Sequence, residues 1–240
     1  MSENIPMIRI PLSAAYNTRD LGGYPTKDNK VTQFNRFIRS DFPHIINDQD
    51  VKLLKQKNIG VVIDLRTTYE VEKSSHPLEN IDFIDYYHLP IFREFDSYRY
   101  CDHSEEPLYE LYKGILNNEK VNLAKIFDIM LSHPDQAVMF HCTAGKDRTG
   151  VIAMLLLGLA RVYDNDIISN YEVSFTHTKA RGDLNKLITK IPFSYFESKT
   201  EIMEKTLQFF YKRYTSFEKY FSQLGYSVQD QEQLQSSFLR

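Results

Sequence analysis

The sequence contains no tryptophan, and Cys101 and Cys142 are its only cysteines among 240 residues. Two cysteines are too few for the disulfide framework that stabilises small secreted domains. Long hydrophobic runs are also missing: the longest, residues 151–160, stops at Arg161 and is too short to span a bilayer. The N-terminal residues MSENIPMIRIPL lack the apolar core of a signal peptide. We therefore expect a cytoplasmic protein with no transmembrane segment, and secretion without a cleaved signal peptide is the alternative.

Neither positive nor negative charge is in large excess. The formal net charge is −3, with 25% charged and 42% hydrophobic residues, which is typical of a globular protein. This charge gives no electrostatic reason to expect a nucleic-acid partner. The sequence shows no internal repeat, low-complexity tract or linker, and its length can bury one substantial core. We predict that residues 1–240 form a single domain.

The most informative stretch is HCTAGKDRTG at residues 141–150, which lies between two apolar runs. The run at 137–140 is short and predicts a buried strand, whereas the longer run at 151–157 predicts a buried helix. A loop that leads into a helix N-terminus offers unpaired backbone N–H groups to an anion. Cys142 begins this loop and Arg148 ends it. A thiol beside a guanidinium at such a terminus is nucleophilic, and the guanidinium can hold two phosphate oxygens. The pattern predicts a loop that binds and attacks a phosphoryl group, with a buried structural cysteine as the alternative.

This loop resembles the phosphate-binding loop of the protein tyrosine phosphatase superfamily, and it is most similar to bacterial members that read HC-x-AGKDRTG. The stretch from Asn17 to Tyr24 resembles the N-x-RDLGG signature of the same enzymes. Asp64-Leu65-Arg66 followed by Glu70 matches another segment of their pattern. The resemblance implies an α/β fold with a central mixed, mostly parallel sheet flanked by helices.

The resemblance also implies a two-step phosphoryl transfer. Cys142 attacks phosphorus to form a cysteinyl-phosphate, and water hydrolyses it. Backbone amides of the loop and the Arg148 guanidinium stabilise the charge on the equatorial oxygens. We expect no metal and no other cofactor, because the sequence has no His, Cys and Asp cluster at metal-ligand spacing. The expected phosphate-binding residues are Thr143, Ala144, Gly145, Lys146 and Arg148.

Three further residues are predicted to support this loop. Thr149 could donate a hydrogen bond to the leaving thiolate. His141 could orient the loop through backbone contacts, with a satisfied buried histidine as the alternative. Arg19 and its neighbour Asp20 are interpreted as structural residues beneath the site, although a polar turn that ties down the N-terminus would explain them as well.

The leaving oxygen needs a proton, so a carboxylic acid is expected. Many family members carry this acid in a Trp-Pro-Asp loop, which a chain without tryptophan cannot have in that form. We rank Asp147 first, Asp64 second and Asp96 third. The cationic neighbours of Asp147 favour its ionised form, whereas a bound phosphate dianion favours the protonated form. For Asp64 the alternative is a carboxylate paired with Arg66 or with a backbone amide.

These residues predict a cysteine-dependent phosphatase acting on phosphotyrosine in a protein substrate, with phosphoserine or phosphothreonine as further substrates. Lys146 adds a second cation to the loop, and lipid-acting members of the superfamily carry a lysine there. A phosphoinositide phosphatase is therefore an alternative. A pseudophosphatase that only binds phosphoproteins would be expected to have lost Cys142 or Arg148, and both are present.

Elsewhere the periodicity predicts secondary structure only. Strands are predicted at residues 36–40, 61–66 and 84–91, and helices at about 48–57, 108–116, 121–132 and 164–172. Apolar residues then recur at alternating steps of four and three, which predicts one amphipathic helix of about twenty residues; they are Met203, Leu207, Phe210, Tyr214, Phe217 and Phe221.

The simpler interpretation of this late helix is that it packs on the core. The alternative is a helical lid over the phosphate site, at about residues 180–222. It is motivated by Phe209, Tyr211 and Tyr220, which lie off the apolar stripe and suggest more aromatic surface than one contact explains.

Overall fold

A computed structural model of the protein describes residues 6–92, 106–179 and 195–240. In these residues five strands form one sheet in the order β1-β2-β5-β3-β4. Strand β1 pairs antiparallel with β2, and the other neighbours pair in parallel. The predicted mixed, mostly parallel sheet is therefore confirmed. The strands are β1 (Arg19–Asp20), β2 (Phe37–Ser40), β3 (Ile59–Asp64), β4 (Asp85–His88) and β5 (Ala137–His141).

Helices flank this sheet on both faces. Asn47 begins the first helix with a capping box, in which its side chain accepts from the Asp50 N–H and the Asp50 side chain accepts in return. In the described part of the chain the helices are α1 (Asp48–Gln56), α2 (Thr68–Lys73), α3 (Pro107–Asn118), α4 (Lys120–Ser132), α5 (Arg148–Leu159), α6 (Asp164–Lys179), α7 (Thr200–Tyr214), α8 (Phe217–Gln223) and α9 (Val228–Ser236). None of these is long and apolar enough to cross a membrane.

The core has two parts because successive strand residues point to opposite faces of the sheet. Phe37 and Phe140 face a large cluster built with helices α3 to α9. Their neighbours Ile38 and Met139 face a smaller cluster that includes Leu54 of α1. Helix α5 crosses the large cluster, and every one of its residues after the first is buried. This is the expected place for a helix that is apolar on all sides.

The parallel strands end together at one edge of the sheet. In the register, Ser40 of β2 and Asp64 of β3 both lie opposite His141, the last residue of the central strand β5. His88 at the end of β4 lies opposite Asp64. Open α/β sheets place their ligands at this carboxyl edge. The loop that follows β5 therefore emerges where a ligand site is expected.

The late helix is not continuous, so the prediction of one twenty-residue helix is wrong. It breaks into α7 and α8 at Thr215, which has a φ of +72°, and Ser216 caps α8 by accepting from the Lys219 N–H. The apolar stripe nevertheless continues across the break. Residues 180–194 of the suggested lid lie outside the described residues.

The described part of that region packs on the core, as the simpler interpretation expected. Tyr220 is fully buried, and its hydroxyl donates to the Leu116 carbonyl at 2.8 Å. Tyr211 is partly buried and donates to Asp164 at 2.9 Å. Phe209 packs edge-to-face on Tyr109. The three off-stripe aromatics therefore do not form the exposed surface that motivated the lid.

Candidate active site

Cys142 directly follows β5, and Arg148 is the first residue of α5. The loop between them turns tightly at Gly145, which has a φ of +64°. A Cβ atom there would lie 2.4 Å from the Ser40 carbonyl oxygen and 2.5 Å from the Asp41 nitrogen. Position 145 therefore requires glycine for its backbone angle and for the close approach of the neighbouring chain.

Side chains from other parts of the chain hold the loop through its backbone carbonyl groups. The Asn17 side-chain amide donates to the Ala144 carbonyl at 2.9 Å and to the Gly145 carbonyl at 3.1 Å. The Arg39 guanidinium donates to the Gly145 carbonyl at 2.7 Å. Within the described residues, the backbone N–H groups of 143–147 donate no hydrogen bond. Unpaired amides around one turn are the donor set that a tetrahedral anion needs.

Two buried arginines support this arrangement from beneath. Arg19 donates to the Asn170 carbonyl at 2.5 Å and to the Ser174 hydroxyl at 2.9 Å, both on α6. Arg39 also contacts Asn170 at 2.5 Å. Burial lowers the pKa of both groups, and that of Arg39 is lowered to about 10, so Arg39 remains charged at neutral pH. The structural role predicted for Arg19 agrees with this geometry, but Asn17 and Arg39 were missed as loop-holding residues.

Arg148 is oriented by a carboxylate that was not among the predicted site residues. Its guanidinium binds Glu70 in a two-pronged contact, with N–O distances of 2.7 and 3.0 Å, and donates to the Leu65 carbonyl at 3.3 Å. Burial alone would lower the pKa of Arg148, but the nearby Cys142 and Glu70 raise it above its ordinary value. The guanidinium is a permanent, fixed cation at the end of the loop.

Glu70 is fixed in turn by the start of α2. It accepts from the Thr67 N–H at 2.8 Å in a capping box, and the Thr143 hydroxyl donates to it. Burial would raise the pKa of Glu70, but the hydrogen bonds and charge of Arg148, together with Thr143, lower it to about 2. The sequence carried one usable signal, because Thr67-x-x-Glu70 is a capping-box pattern and places this glutamate one turn after the strand edge.

Asp147 is the last loop residue before Arg148. It occupies the position before α5, but its side chain makes no capping bond, and 22% of that side chain is exposed. Its carboxylate accepts a hydrogen bond from the Tyr112 hydroxyl at 2.6 Å and lies 3.4 Å from the Lys146 ammonium. Of the two predicted acids among the described residues, Asp147 is thus the one with a partly exposed carboxylate, and its charge acts on Arg148. Tyr112 was not anticipated.

The Lys146 ammonium does not take the position predicted for it. The side chain is buried, and the ammonium donates to the carbonyls of Tyr195 and Glu197 at 2.5 and 2.9 Å. These bonds tie the loop to the segment before α7. The Lys146 backbone N–H donates no hydrogen bond within the described residues, so a phosphate contact through the backbone of this residue stays a prediction.

The structure pairs the Asp64 carboxylate with Arg66, which was the alternative interpretation of this residue. It is fully buried, binds the Arg66 guanidinium at 2.6 Å and accepts from the Tyr86 hydroxyl at 2.9 Å. Burial would raise the pKa of Asp64, but His141 and the hydrogen bonds and charge of Arg66 bring it far below the ordinary value. The carboxyl is ionised and enclosed at neutral pH, so it has no proton to donate. The third candidate, Asp96, lies outside the described residues.

Asp64, His76 and His141 form a buried cluster whose potential ligand atoms lie within 4.8 Å of one another. Sequence spacing did not reveal it, because the three residues come from different segments. The donor set does not fit a metal well. Both Asp64 oxygens already accept from Arg66. The His76 Nδ1 accepts from the Leu78 N–H at 3.0 Å, so the Nε2 of the neutral ring carries the proton.

His141 and Thr149 are both buried beside the nucleophile. The His141 ring contacts the Cys142 carbonyl through Nδ1 at 3.2 Å, which is the backbone contact predicted for it. Its Nε2 and the Thr149 hydroxyl oxygen have no hydrogen-bond partner among the described residues. A bond from Thr149 to the sulfur of Cys142 stays a prediction.

The chain is similar in sequence to curated tyrosine-protein phosphatases. The chain is 34% identical over 140 residues to a tyrosine-protein phosphatase of Nostoc commune, covering 58% of this chain and 48% of that protein. A relative from Cupriavidus necator is 26% identical over 174 residues, covering 65% of this chain and 59% of its own length. The chain thus spans about half the length of these relatives.

Solved structures with some similarity include Pseudomonas aeruginosa TpbA in complex with pTyr, at 15% identity and a TM-score of 0.38, covering 66% of this chain and 87% of that one. The Siw14 catalytic core has the same identity and TM-score, over 76% and 95% of the two chains. The profile of the tyrosine phosphatase family matches residues 10–240. The chain therefore belongs to the tyrosine phosphatase family.

Proposed function

We propose that this chain is a cysteine-dependent phosphatase that hydrolyses phosphotyrosine in proteins. The observation that carries the proposal is the loop at 142–148. Its carbonyls are held from behind, the N–H groups of 143–147 donate no hydrogen bond within the described residues, and Arg148 is fixed at its end by Glu70. This constellation suits a phosphoryl group because amides and a guanidinium can stabilise three equatorial oxygens at once.

The proposed reaction has two steps. The Cys142 thiolate attacks phosphorus, a sulfur–phosphorus bond forms, the ester phosphorus–oxygen bond breaks, and the leaving oxygen takes a proton from Asp147. Water then attacks phosphorus and transfers a proton to the Asp147 carboxylate. The sulfur–phosphorus bond breaks, and inorganic phosphate and the thiolate are released. No atom or proton beyond those of substrate and water is consumed.

Asp147 is the proposed acid in the first step and base in the second. Of the two candidates within the described residues, Asp147 has a partly exposed carboxylate, whereas Asp64 is enclosed and bound to Arg66. The Tyr112 hydroxyl donates to the Asp147 carboxylate at 2.6 Å. A bound phosphate dianion repels a second negative charge, so we propose that Asp147 takes up its proton together with the substrate.

For the substrate class, family membership supports a phosphotyrosyl protein. A phosphoinositide was suggested by the second cation at Lys146. That ammonium is engaged by the carbonyls of Tyr195 and Glu197, so this observation no longer favours a lipid headgroup. Phosphotyrosine is therefore the substrate we propose.

Turnover of phosphotyrosyl, phosphoseryl and phosphoinositide substrates by the purified chain tests the proposal. Cys142→Ser should reduce turnover to background yet retain vanadate binding, because the amides and Arg148 remain. Arg148→Ala should lose both. Vanadate should inhibit and chelators should not. Turnover above background by Cys142→Ser would overturn the mechanism, and a preference for phosphoinositides would overturn the substrate class.

A further inference from the structure

Two buried tyrosines extend the site away from solvent. Tyr112 on α3 has no exposed surface, and Tyr171 on α6 has 1%. Their hydroxyl oxygens lie 2.8 Å apart, and the rings meet edge-to-face with centroids 5.9 Å apart. The Tyr112 hydroxyl also lies 2.6 Å from the Asp147 carboxylate. A continuous chain of hydrogen bonds therefore joins the interior to the proposed acid.

The donor and acceptor of each of these hydrogen bonds follow from the number of protons available. An ionised carboxylate can only accept, so the single hydroxyl proton of Tyr112 goes to Asp147. The Tyr112 oxygen is then free to accept, and Tyr171 donates to it. Burial and the charge of Asp147 raise the pKa of Tyr112 well above its ordinary value. Tyr112 is therefore a permanent donor that does not give up its own proton.

Gly150, near the start of α5, lies beside the ring of Tyr171. A Cβ atom on Gly150 would lie 3.4 Å from a ring carbon of Tyr171, which is an ordinary van der Waals contact. Gly150 belongs to the HCTAGKDRTG motif, yet the proposed chemistry assigns it no role. The start of α5 therefore packs directly against the ring of Tyr171.

We propose that Tyr112, supported by Tyr171, is a positioning residue for phosphoryl transfer, which holds the Asp147 carboxyl at the loop and stabilises its ionised form. The inference rests on the proposed function, because it gives Asp147 a proton to transfer. Asp147 makes no capping bond, and its remaining contact among the described residues is Lys146 at 3.4 Å. Tyr112 therefore supplies the short bond that fixes the carboxyl.

The consequence for the reaction is specific. The carboxylate of Asp147 is the product of the first proton transfer and the base of the second. A donor that stabilises this form makes Asp147 a stronger acid. Without the donor the acid is weaker, so the rate should fall most for substrates whose leaving group needs the proton. The protonated acid should also persist to higher pH.

The test compares Tyr112→Phe with the wild type on phenyl phosphate and nitrophenyl phosphate across pH. We expect kcat on phenyl phosphate to fall about tenfold with little change in KM, and a smaller loss on nitrophenyl phosphate. The basic limb of the pH profile should move up by about one pH unit, since a hydrogen bond to a charged group is worth roughly that. Tyr171→Phe should act in the same direction with a smaller effect.

Two controls separate positioning from mere packing. Tyr220→Phe removes a buried hydroxyl that donates to the Leu116 carbonyl, so it should leave the pH profile unchanged. On an Asp147→Asn background, Tyr112→Phe should cause no further loss, because both changes remove one function. Thermal melting checks that each variant is folded. If Tyr112→Phe does not fold, the same kinetic measurements on Tyr171→Phe test the proposal.

A wild-type pH profile and leaving-group dependence in folded Tyr112→Phe would overturn the inference and leave the proposed function standing. A full additional loss on the Asp147→Asn background would also overturn it. A wild-type chain that turns over no phosphate ester, or an active Cys142→Ser, would instead overturn the proposed function itself. The two failures are therefore distinguishable.

Discussion

Glu70 and Arg148 fix each other before any ligand arrives. Both guanidinium–carboxylate bonds are short, and the carboxylate is also held by the Thr67 N–H and the Thr143 hydroxyl. A guanidinium that is already oriented loses less conformational freedom when it binds phosphate. The interaction therefore serves preorganisation of the loop as well as stability.

Replacement of Glu70 by Gln tests the energetic part of this interaction. The pKa of Glu70 is about 2 in the folded chain, against an ordinary 4.5. Its stabilising contribution is therefore fully present above pH 4.5 and is lost as the pH falls towards 2. We expect Glu70→Gln to lower the free energy of unfolding at pH 7 by about 1–2 kcal/mol, allowing for partial exposure.

Urea unfolding of both proteins between pH 7 and pH 3.5 measures this, and the difference between them should shrink at the acid end. Glu72→Gln provides a matched control, because Glu72 is an exposed residue of the same helix. A difference that stays constant over this range would show that the Glu70 carboxylate contributes nothing in its ionised form.

At the level of elements, the interface of α5 with α8 is unusually close. A Cβ atom on Gly158 would lie 2.2–2.4 Å from three ring atoms of Phe217. Exchange of glycine for alanine inside a helix usually stabilises by about 0.5–1 kcal/mol. At this position we expect the opposite sign, a destabilisation of about 1–3 kcal/mol, because the ring and helix α8 must move.

A double-mutant cycle isolates the cause. Phe217→Leu leaves a smaller side chain opposite Gly158, so the penalty of Gly158→Ala should largely disappear in that background. Free energies of unfolding for the four proteins give the coupling. An equal penalty in both backgrounds would mean that contact with Phe217 is not the reason for glycine at position 158.

The break between α7 and α8 shows what periodicity cannot reveal. Positions 203 to 221 keep the same apolar spacing on both sides of Thr215, so the stripe predicts one helix although the backbone turns there. The local signal was Ser216, whose side chain caps the second helix. Short elements with strong flanking signals were predicted well, including the strand before Cys142 and the capped helix after Asn47.

At the scale of the whole molecule, the sequence predicted the residues of the loop but not the residues that hold it. Asn17 and Gly145 are 128 positions apart, and Arg39 and Gly145 are 106 apart. Such contacts are decided by the packing of the sheet edge and α6, which no local pattern encodes. The same limitation explains why Tyr112 and the cluster around His76 were not found.

The buried His76 also predicts how the whole molecule responds to acid. Burial lowers the pKa of His76 from 6.5 to about 2, and the nearby His141 adds to this, so the ring is neutral in the folded chain. The unfolded chain binds a proton below pH 6.5 that the folded chain cannot bind. Stability is therefore highest above pH 6.5 and falls as the pH decreases, by about 2 kcal/mol between pH 7.5 and pH 5 for this group alone.

Other groups contribute over the same range, so a comparison of two proteins is needed. Burial lowers the pKa of His141 as well, which adds to the loss in acid. Burial raises the pKa of Asp20 to about 6, which opposes it, because the folded chain then takes up a proton that the unfolded chain does not. The Asp20 contribution cancels when a His76 variant is compared with the wild type at each pH, whereas that of His141 cancels only in part, because its ring centroid lies 4.7 Å from that of His76.

His76→Asn is the suitable variant, since its side-chain oxygen can still accept from the Leu78 N–H that His76 accepts now. We expect it to be less stable than the wild type at pH 7.5, with a deficit that shrinks by about 2 kcal/mol at pH 5. His44→Asn replaces an exposed histidine and should show no such change with pH. A deficit in His76→Asn that stays the same at both pH values would mean that the folded chain accommodates a charged His76, and that the interior beside Cys142 is more open to water than its packing indicates.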